Sequence, residues 1–139
     1  MLIDKPQIES LIPQRYPFVM IDQLIDATEK GFESAFEITS SNLFLENNLL
    51  SESALIENIA QTCAAGFGYL GQQEAGGQPR IGYIGAVTQV SVLGQAALGN
   101  QLNTRVTILS TFDTIHLVEG KVSCGDQELL TCQLKIVLA

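Results

Sequence analysis

One carboxylate stands out in this chain. In LFLENNLLSESALIENIAQ, residues 43–61, Glu57 lies within a stretch that otherwise reads as buried helix. A carboxyl group so placed suits proton transfer, either as a general acid or as a base that activates water. The bland alternative is an acid near a helix start, satisfied by backbone amides, by Arg15 or by Gln61; contact with a polar ligand is a third. His116, the only histidine, sits in FDTIHLVEG, a β-like run, and reads either as a structural residue or as a replacement base. A Ser-His-Asp set would need that histidine, and Cys63 falls on the bulky helical arc described below, where inert packing is favoured. Cys63, Cys124 and Cys132 have no metal-ligand spacing, and a structural zinc wants four N or S ligands, so neither metal nor cofactor is expected. A hairpin turning at GDQ would place Cys124 opposite a residue near 128 rather than Cys132, which argues for free thiols. The EAGG stretch lacks the strand-to-helix context of a phosphate loop and reads as a surface turn.

Glu57 belongs to the one long helix, expected over 52–72 with Ser51 or Ser53 as N-cap. At about 100° per residue, Leu55, Ile56, Ile59, Cys63, Phe67 and Leu70 share a bulky apolar arc that should pack on a sheet. Ser53, Glu57, Ala60, Gln61, Ala64 and Gly68 fall opposite, and no Lys or Arg occurs between 52 and 72. Gly66, Gly68 and Gly71 each cost about 1 kcal/mol against Ala in a helix, so something should approach closely: a second subunit, a ligand chain, or both. Gln61 is placed to orient Glu57, while Arg15 and Tyr16 are expected to pin the N-terminal segment.

The remaining elements follow from period and punctuation. Asp4, Pro6 and Glu9 mark a short capped helix that stops at Pro13. FVMIDQLIDAT and FESAFEIT alternate about the turn EKG as a hairpin, and residues 40–51 look irregular. After the loop QEAGGQPR come β-like runs over 81–94, 101–111, 113–124 and 128–138. In the last, Leu130, Cys132, Leu134, Ile136 and Leu138 share one face, with Thr131, Gln133 and Lys135 on the other. The pattern is α+β: an antiparallel sheet whose apolar face needs a helix to cover it.

The 139 residues suit one domain, 1–139, and 46% hydrophobic with 16% charged residues excludes disorder. No basic start with an apolar run suggests a signal peptide, and no apolar stretch reaches the ~20 residues of a membrane span, so cytoplasm is the expected location. A net charge of −8 with seven unclustered Lys and Arg argues against nucleic acid. It also disfavours acidic partners, unless a patch around Arg15, Arg80 or Arg105 overcomes the average.

Three stretches together resemble the hot-dog fold and, within it, the β-hydroxyacyl-acyl carrier protein dehydratases. IPQRYPFVMIDQL (12–24) is similar to the family's P-H-R-Y-P-F signature, and LIENIAQTCAA (55–65) to its helix motif L-x-E-A-M-A-Q. YIGAVTQVSV, which contains Gly85, followed by GNQL (99–102) is similar to its strand and G-D-Q-L turn. The resemblance implies a dimer in which antiparallel sheets wrap long central helices, with two acyl-thioester sites along the interface. It implies a catalytic pair from different subunits: a histidine acting at the α-carbon proton and the helix glutamate at the departing hydroxyl, with helix N-terminal amides on the thioester carbonyl.

Glu57 matches that glutamate. The histidine, fourteen residues earlier, falls on Leu43, with Phe44 matching the following Phe, and the family's G-H-F-P-G loop reads NLFLENNLLSE. The signature's other histidine reads Gln14. The resemblance therefore assigns Glu57 a catalytic position, Leu43 the place of the missing base, and Phe44, Ser53, Gln61, Gly85 and Arg80 substrate contacts, Arg80 toward a phosphopantetheine phosphate. It implies acyl-carrier protein or acyl-CoA ligands from fatty-acid or polyketide-type metabolism, and a homodimer, a higher homo-oligomer, or a heterodimer with an active paralogue. Three functions stay open. The chain is a degenerate acyl-thioester binder or partner subunit, an active hydrolase or dehydratase using Glu57 with water or His116, or a structural module whose tunnel is plugged by Leu43, Phe44, Leu45, Leu49 and Leu50.

Overall fold

The computed structural model describes residues 1–74 and 82–139. Residues 75–80 of the expected loop QEAGGQPR, Arg80 among them, and residue 81 lie outside the described residues. A 3-10 helix, Lys5–Ser10, opens the chain, with Asp4 accepting from the Lys5 amide at 2.7 Å. Strands β1 (Gln23–Thr28) and β2 (Gly31–Glu37) form a hairpin, then come β3 (Leu45–Glu46), β4 (Leu49–Leu50) and the helix α1 (Glu52–Gln73). The meander β5 (Gly82–Val92), β6 (Gln101–Phe112), β7 (Ile115–Cys124) and β8 (Gln127–Leu138) completes the chain. Six strands build one antiparallel sheet in the order β1-β2-β6-β7-β8-β5, so β5, though it follows the helix directly, forms an outer edge.

The helix lies on one face of this sheet, as the apolar arc requires. Leu55, Ile59, Cys63 and Phe67 are buried against inward residues such as Val118, Val122, Leu130 and Leu134, while Ile56 and Leu70 are only partly covered. Each fully buried Leu or Ile contributes roughly 1.5–3 kcal/mol relative to exposure. The alternation expected in β8 holds: residues 130, 132, 134, 136 and 138 are all buried. Cys124 pairs with Gln127 across the last turn and Cys132 with Gly120, and all three cysteines are free thiols.

Two expectations change. The first hairpin strand begins at Gln23, not near Phe18, because the backbone of 18–20 bonds to helix side chains instead of to the sheet. The Met20 amide donates to Gln61 Oε1 (2.6 Å), while Asn58 Nδ2 donates to the Met20 carbonyl (2.7 Å) and Gln61 Nε2 to the Phe18 carbonyl (2.8 Å). Residues 40–51 are not wholly irregular: Asn47 and Asn48, at φ 53° and 64°, turn a two-residue hairpin between β3 and β4. Both central residues of such a turn need positive φ, which asparagine tolerates better than most residues.

The close approach predicted for the helical glycines comes from within the chain. A Cβ on Gly68 would stand 2.7 Å from the Leu11 carbonyl oxygen, and one on Gly66 would stand 2.2 Å from the Phe32 ring. The N-terminal segment, rather than a second subunit, therefore covers the Gly68 end of the small-residue face.

Candidate functional site

The part of that face left open forms a cavity of about 410 Å³. Glu57, Ala60, Cys63, Ala64 and Phe67 line it from α1, spaced so that three successive turns present one side. Residues 9–15 form a second wall, and the start of β5 with the end of β8, through Gly82, Ile84, Ile136 and Leu138, closes the third. Small residues at 60 and 64 leave the space that larger side chains would fill.

Glu57, in the second turn of α1, is half-buried at this wall, and its Oε1 accepts from Gln61 Nε2 at 3.2 Å. Gln61 is itself fully buried, with its carboxamide held by the backbone of Phe18 and Met20. Beneath it lies a buried polar cluster. Asn58 Oδ1 accepts from the Thr104 hydroxyl, and the Thr62 hydroxyl donates to the Asn58 carbonyl (2.8 Å). The Thr62 proton is thereby committed, so the Ser34 hydroxyl is the donor in their 2.7 Å contact. Every polar side chain in this cluster has a partner, and its geometry fixes the helix against the 18–20 segment beside the carboxylate.

The structure separates the remaining candidates. Leu43 is 53% exposed and, with Phe44, stands off the cavity wall. Ser53 is exposed at the helix start, its hydroxyl 3.1 Å from that of Ser51. Gly85 is exposed at a β-bulge of β5, where a Cβ would meet only ordinary contact with Lys135 at 3.4 Å, so nothing in this protomer requires glycine there. Gln61 touches Glu57 from behind rather than facing the cavity. Arg15 reaches the wall, but its guanidinium bonds Glu9 (2.9 Å) and the Ile12 and Gln14 carbonyls (2.7 and 2.8 Å), leaving Gln61 as the partner of Glu57. Tyr16, expected to help pin this segment, is 77% exposed.

His116 does not serve Glu57 within the protomer. Its ring packs on Phe67, centroids 4.7 Å apart, and its Nδ1 lies 2.9 Å from the Thr111 hydroxyl. Phe67 is ten residues along the helix from Glu57, a displacement of about 15 Å at 1.5 Å per residue. Among the described residues no imidazole lines the cavity. Burial pushes the Cys132 thiol up to about 11 and raises Cys63 further, aided by its proximity to Cys132, so both are neutral and poor nucleophiles. Among the described residues no group of three His, Cys, Asp or Glu side chains is disposed to hold a metal ion, and no helix is long and apolar enough to cross a membrane.

Sequence reading missed the wall formed by residues 9–15 and the aromatic end of the cavity at Phe67. It also missed the Gln14 side-chain oxygen, which is buried there without a hydrogen-bond partner. Only the last carried a signal, since Gln14 replaces a histidine in the signature that this segment resembles.

Known proteins agree with this architecture. The dehydratase heterocomplex ApeI:P from Xenorhabdus doucetiae superposes with a TM-score of 0.84 over 95% of this chain and 90% of that one, at 19% identity. A hypothetical thioesterase of Streptococcus pneumoniae, solved with coenzyme A, gives a TM-score of 0.68 at 8% identity, covering 84% of each chain. These likenesses establish the hot-dog fold. In sequence, the 3-hydroxyacyl-[acyl-carrier-protein] dehydratase FabZ of Oceanobacillus iheyensis is 28% identical over 135 residues, covering 88% of this chain and 94% of that protein. The family model described as ApeP-like, ApeP dehydratase, matches residues 6–139. A carboxylate-bearing helix on an antiparallel sheet, and a family match over nearly the whole sequence, place this chain in the ApeP-like dehydratase family.

Proposed function

We propose that this chain is a dehydratase-like acyl-thioester subunit that works in a mixed pair, lending Glu57 to the histidine of a second, complete dehydratase. One observation carries the reading: a ligand-sized cavity presents Glu57, while the position matched to the family's histidine holds Leu43, exposed and off the wall. That a structural neighbour is a heterocomplex supports a mixed pair, and the outer edge of β5, unpaired among the described residues, offers the surface on which a hot-dog partner would join.

The chemistry divides between the subunits. The partner's imidazole takes the α-proton of a 3-hydroxyacyl thioester, and the α–β carbon double bond forms as the β-carbon–oxygen bond breaks. Glu57 acts as the general acid, giving a proton to the departing oxygen, which leaves as water. Gln61 holds the carboxyl in place, and the exposed N-terminus of α1 offers amides to the thioester carbonyl. The complementary site, pairing Leu43 with the partner's glutamate, has no base. Acyl-carrier protein or acyl-CoA is the ligand, and the cytoplasm, where such thioesters are made, is the location.

Co-expression with a histidine-bearing dehydratase of the family, followed by purification of the mixed complex and assay on 3-hydroxyacyl-carrier substrates, tests this. The mixed complex should stay active when the partner's own glutamate is replaced. It should then lose a factor of ~10² to 10⁴ on Glu57→Gln. Formation of homo-oligomers alone, or activity indifferent to Glu57→Gln, overturns it. The alternative, hydrolysis by Glu57 and water in the chain alone, predicts release of coenzyme A from acyl-CoA by the isolated protein.

A further inference from the structure

We infer that Phe67 is the floor of the acyl cavity and sets the longest chain this protein accepts. The inference rests on the acyl-thioester reading and deepens it by naming a substrate size. Along α1 the wall runs Glu57, Ala60, Cys63, Ala64, Phe67: a carboxylate, then small side chains, then one large ring. A groove that small residues keep open ends where an aromatic fills it.

The ring is held firmly. Phe67 is 4% exposed, it meets Phe32 edge-on at 4.9 Å between centroids and 79° between planes, and the His116 ring lies against it at 4.7 Å. Phe32 in turn occupies the space above Gly66, where no Cβ fits. Swinging Phe67 aside to admit a longer chain would therefore disturb three packed rings, and close-packed interiors resist such shifts. Ile136 and Leu138, both buried, complete the same end from β8.

The length follows from helix geometry. Ten residues separate Glu57 from Phe67, about 15 Å at 1.5 Å per residue. An extended chain advances on the order of 1.2 Å per bond, judged from about 3.6 Å per three-bond residue. A chain whose β-carbon lies at Glu57 thus has space for about a dozen further bonds before meeting the ring. Counted from the β-carbon as the third carbon, the structure points to acyl groups of up to about fifteen carbons at that advance per bond, with a sharp upper limit rather than a gradual one.

Isothermal titration of the full chain with saturated straight-chain acyl-CoA thioesters of increasing length tests this directly, since saturated chains are inert to dehydration. Affinity should rise roughly fourfold per methylene, the equivalent of about 0.8 kcal/mol per buried CH₂, until the limit, then fall. Phe67→Ala should move the limit to longer chains by several methylenes, and Phe67→Leu by fewer. Ala64→Leu, which narrows the groove nearer Glu57, should shorten it, and this variant keeps the test decisive if Phe67→Ala does not fold. Binding with a limit unmoved by Phe67→Leu and Ala64→Leu overturns the floor assignment while leaving the acyl reading intact. No binding at any chain length, by the wild-type chain or its mixed complex, overturns both.

Discussion

At the scale of single residues, Gln61 decides more than Glu57 does. Its carboxamide satisfies the Met20 amide and the Phe18 carbonyl and still reaches the Glu57 carboxylate, so one side chain joins the site to the N-terminal segment. Gln61→Ala should leave the buried Met20 amide without a partner, at a cost of about 1–3 kcal/mol, seen as a lower urea midpoint, and should free Glu57. Gln61→Glu should be worse, because a carboxylate there is a buried charge and, unlike the amide, has no proton for the Phe18 carbonyl. The buried thiols make a separate prediction. Below their ordinary value of 9.0, Cys63 and Cys132 are neutral in both folded and unfolded chains, and their contribution to stability is fully present. Above it the unfolded thiols ionise while the folded ones do not, so stability falls as pH rises toward the folded value, about 11 for Cys132. The slope reaches about 1.4 kcal/mol per pH unit per thiol. Thermal melts across that window should decline less steeply for Cys132→Val than for the wild type.

At the scale of elements, α1 shows which of two effects wins at a helical glycine. Propensity alone says Gly68→Ala should stabilise by about 1 kcal/mol. The new Cβ would sit 2.7 Å from the Leu11 carbonyl oxygen, a backbone atom that cannot swing away, so the segment over the helix must lift. Overpacking of this kind costs typically 1–3 kcal/mol, and a net destabilisation in chemical denaturation is the expected result. The helix boundaries and the meander strands were legible in the sequence because their signals are local: period, capping serine and turn residues. The first strand starts later than its alternation suggests because 18–20 alternate like a strand while the Phe18 carbonyl and the Met20 amide and carbonyl are taken by Asn58 and Gln61, side chains some forty residues away. The β3–β4 hairpin was overlooked because its strands are two residues each, too short for any alternation to register.

At the scale of the whole molecule, β5 is incomplete by itself. It ends the sheet, its outer edge is unpaired among the described residues, and Ile84 and Val87, on the side of the sheet that faces α1, are 46% and 40% exposed. An apolar strand with a free edge is a template for another chain, which agrees with the mixed pair proposed above. Ile84→Asp with Val87→Asp should abolish association with a dehydratase partner, read as a shift to monomer mass in light scattering, while β5 keeps its pairing with β8.

The sequence by itself determined the α+β class, the strands of the meander, the extent of the long helix, and the face on which Glu57 lies. Those features follow from backbone periodicity, which every short window carries. Only the tertiary structure decided what stands opposite that face: the 9–15 segment, the aromatic floor at Phe67, the ends of β5 and β8, and the distance that removes His116 from Glu57. Periodicity states which way a side chain points, but its neighbours come from parts of the chain far apart in order, joined by packing that no local pattern encodes.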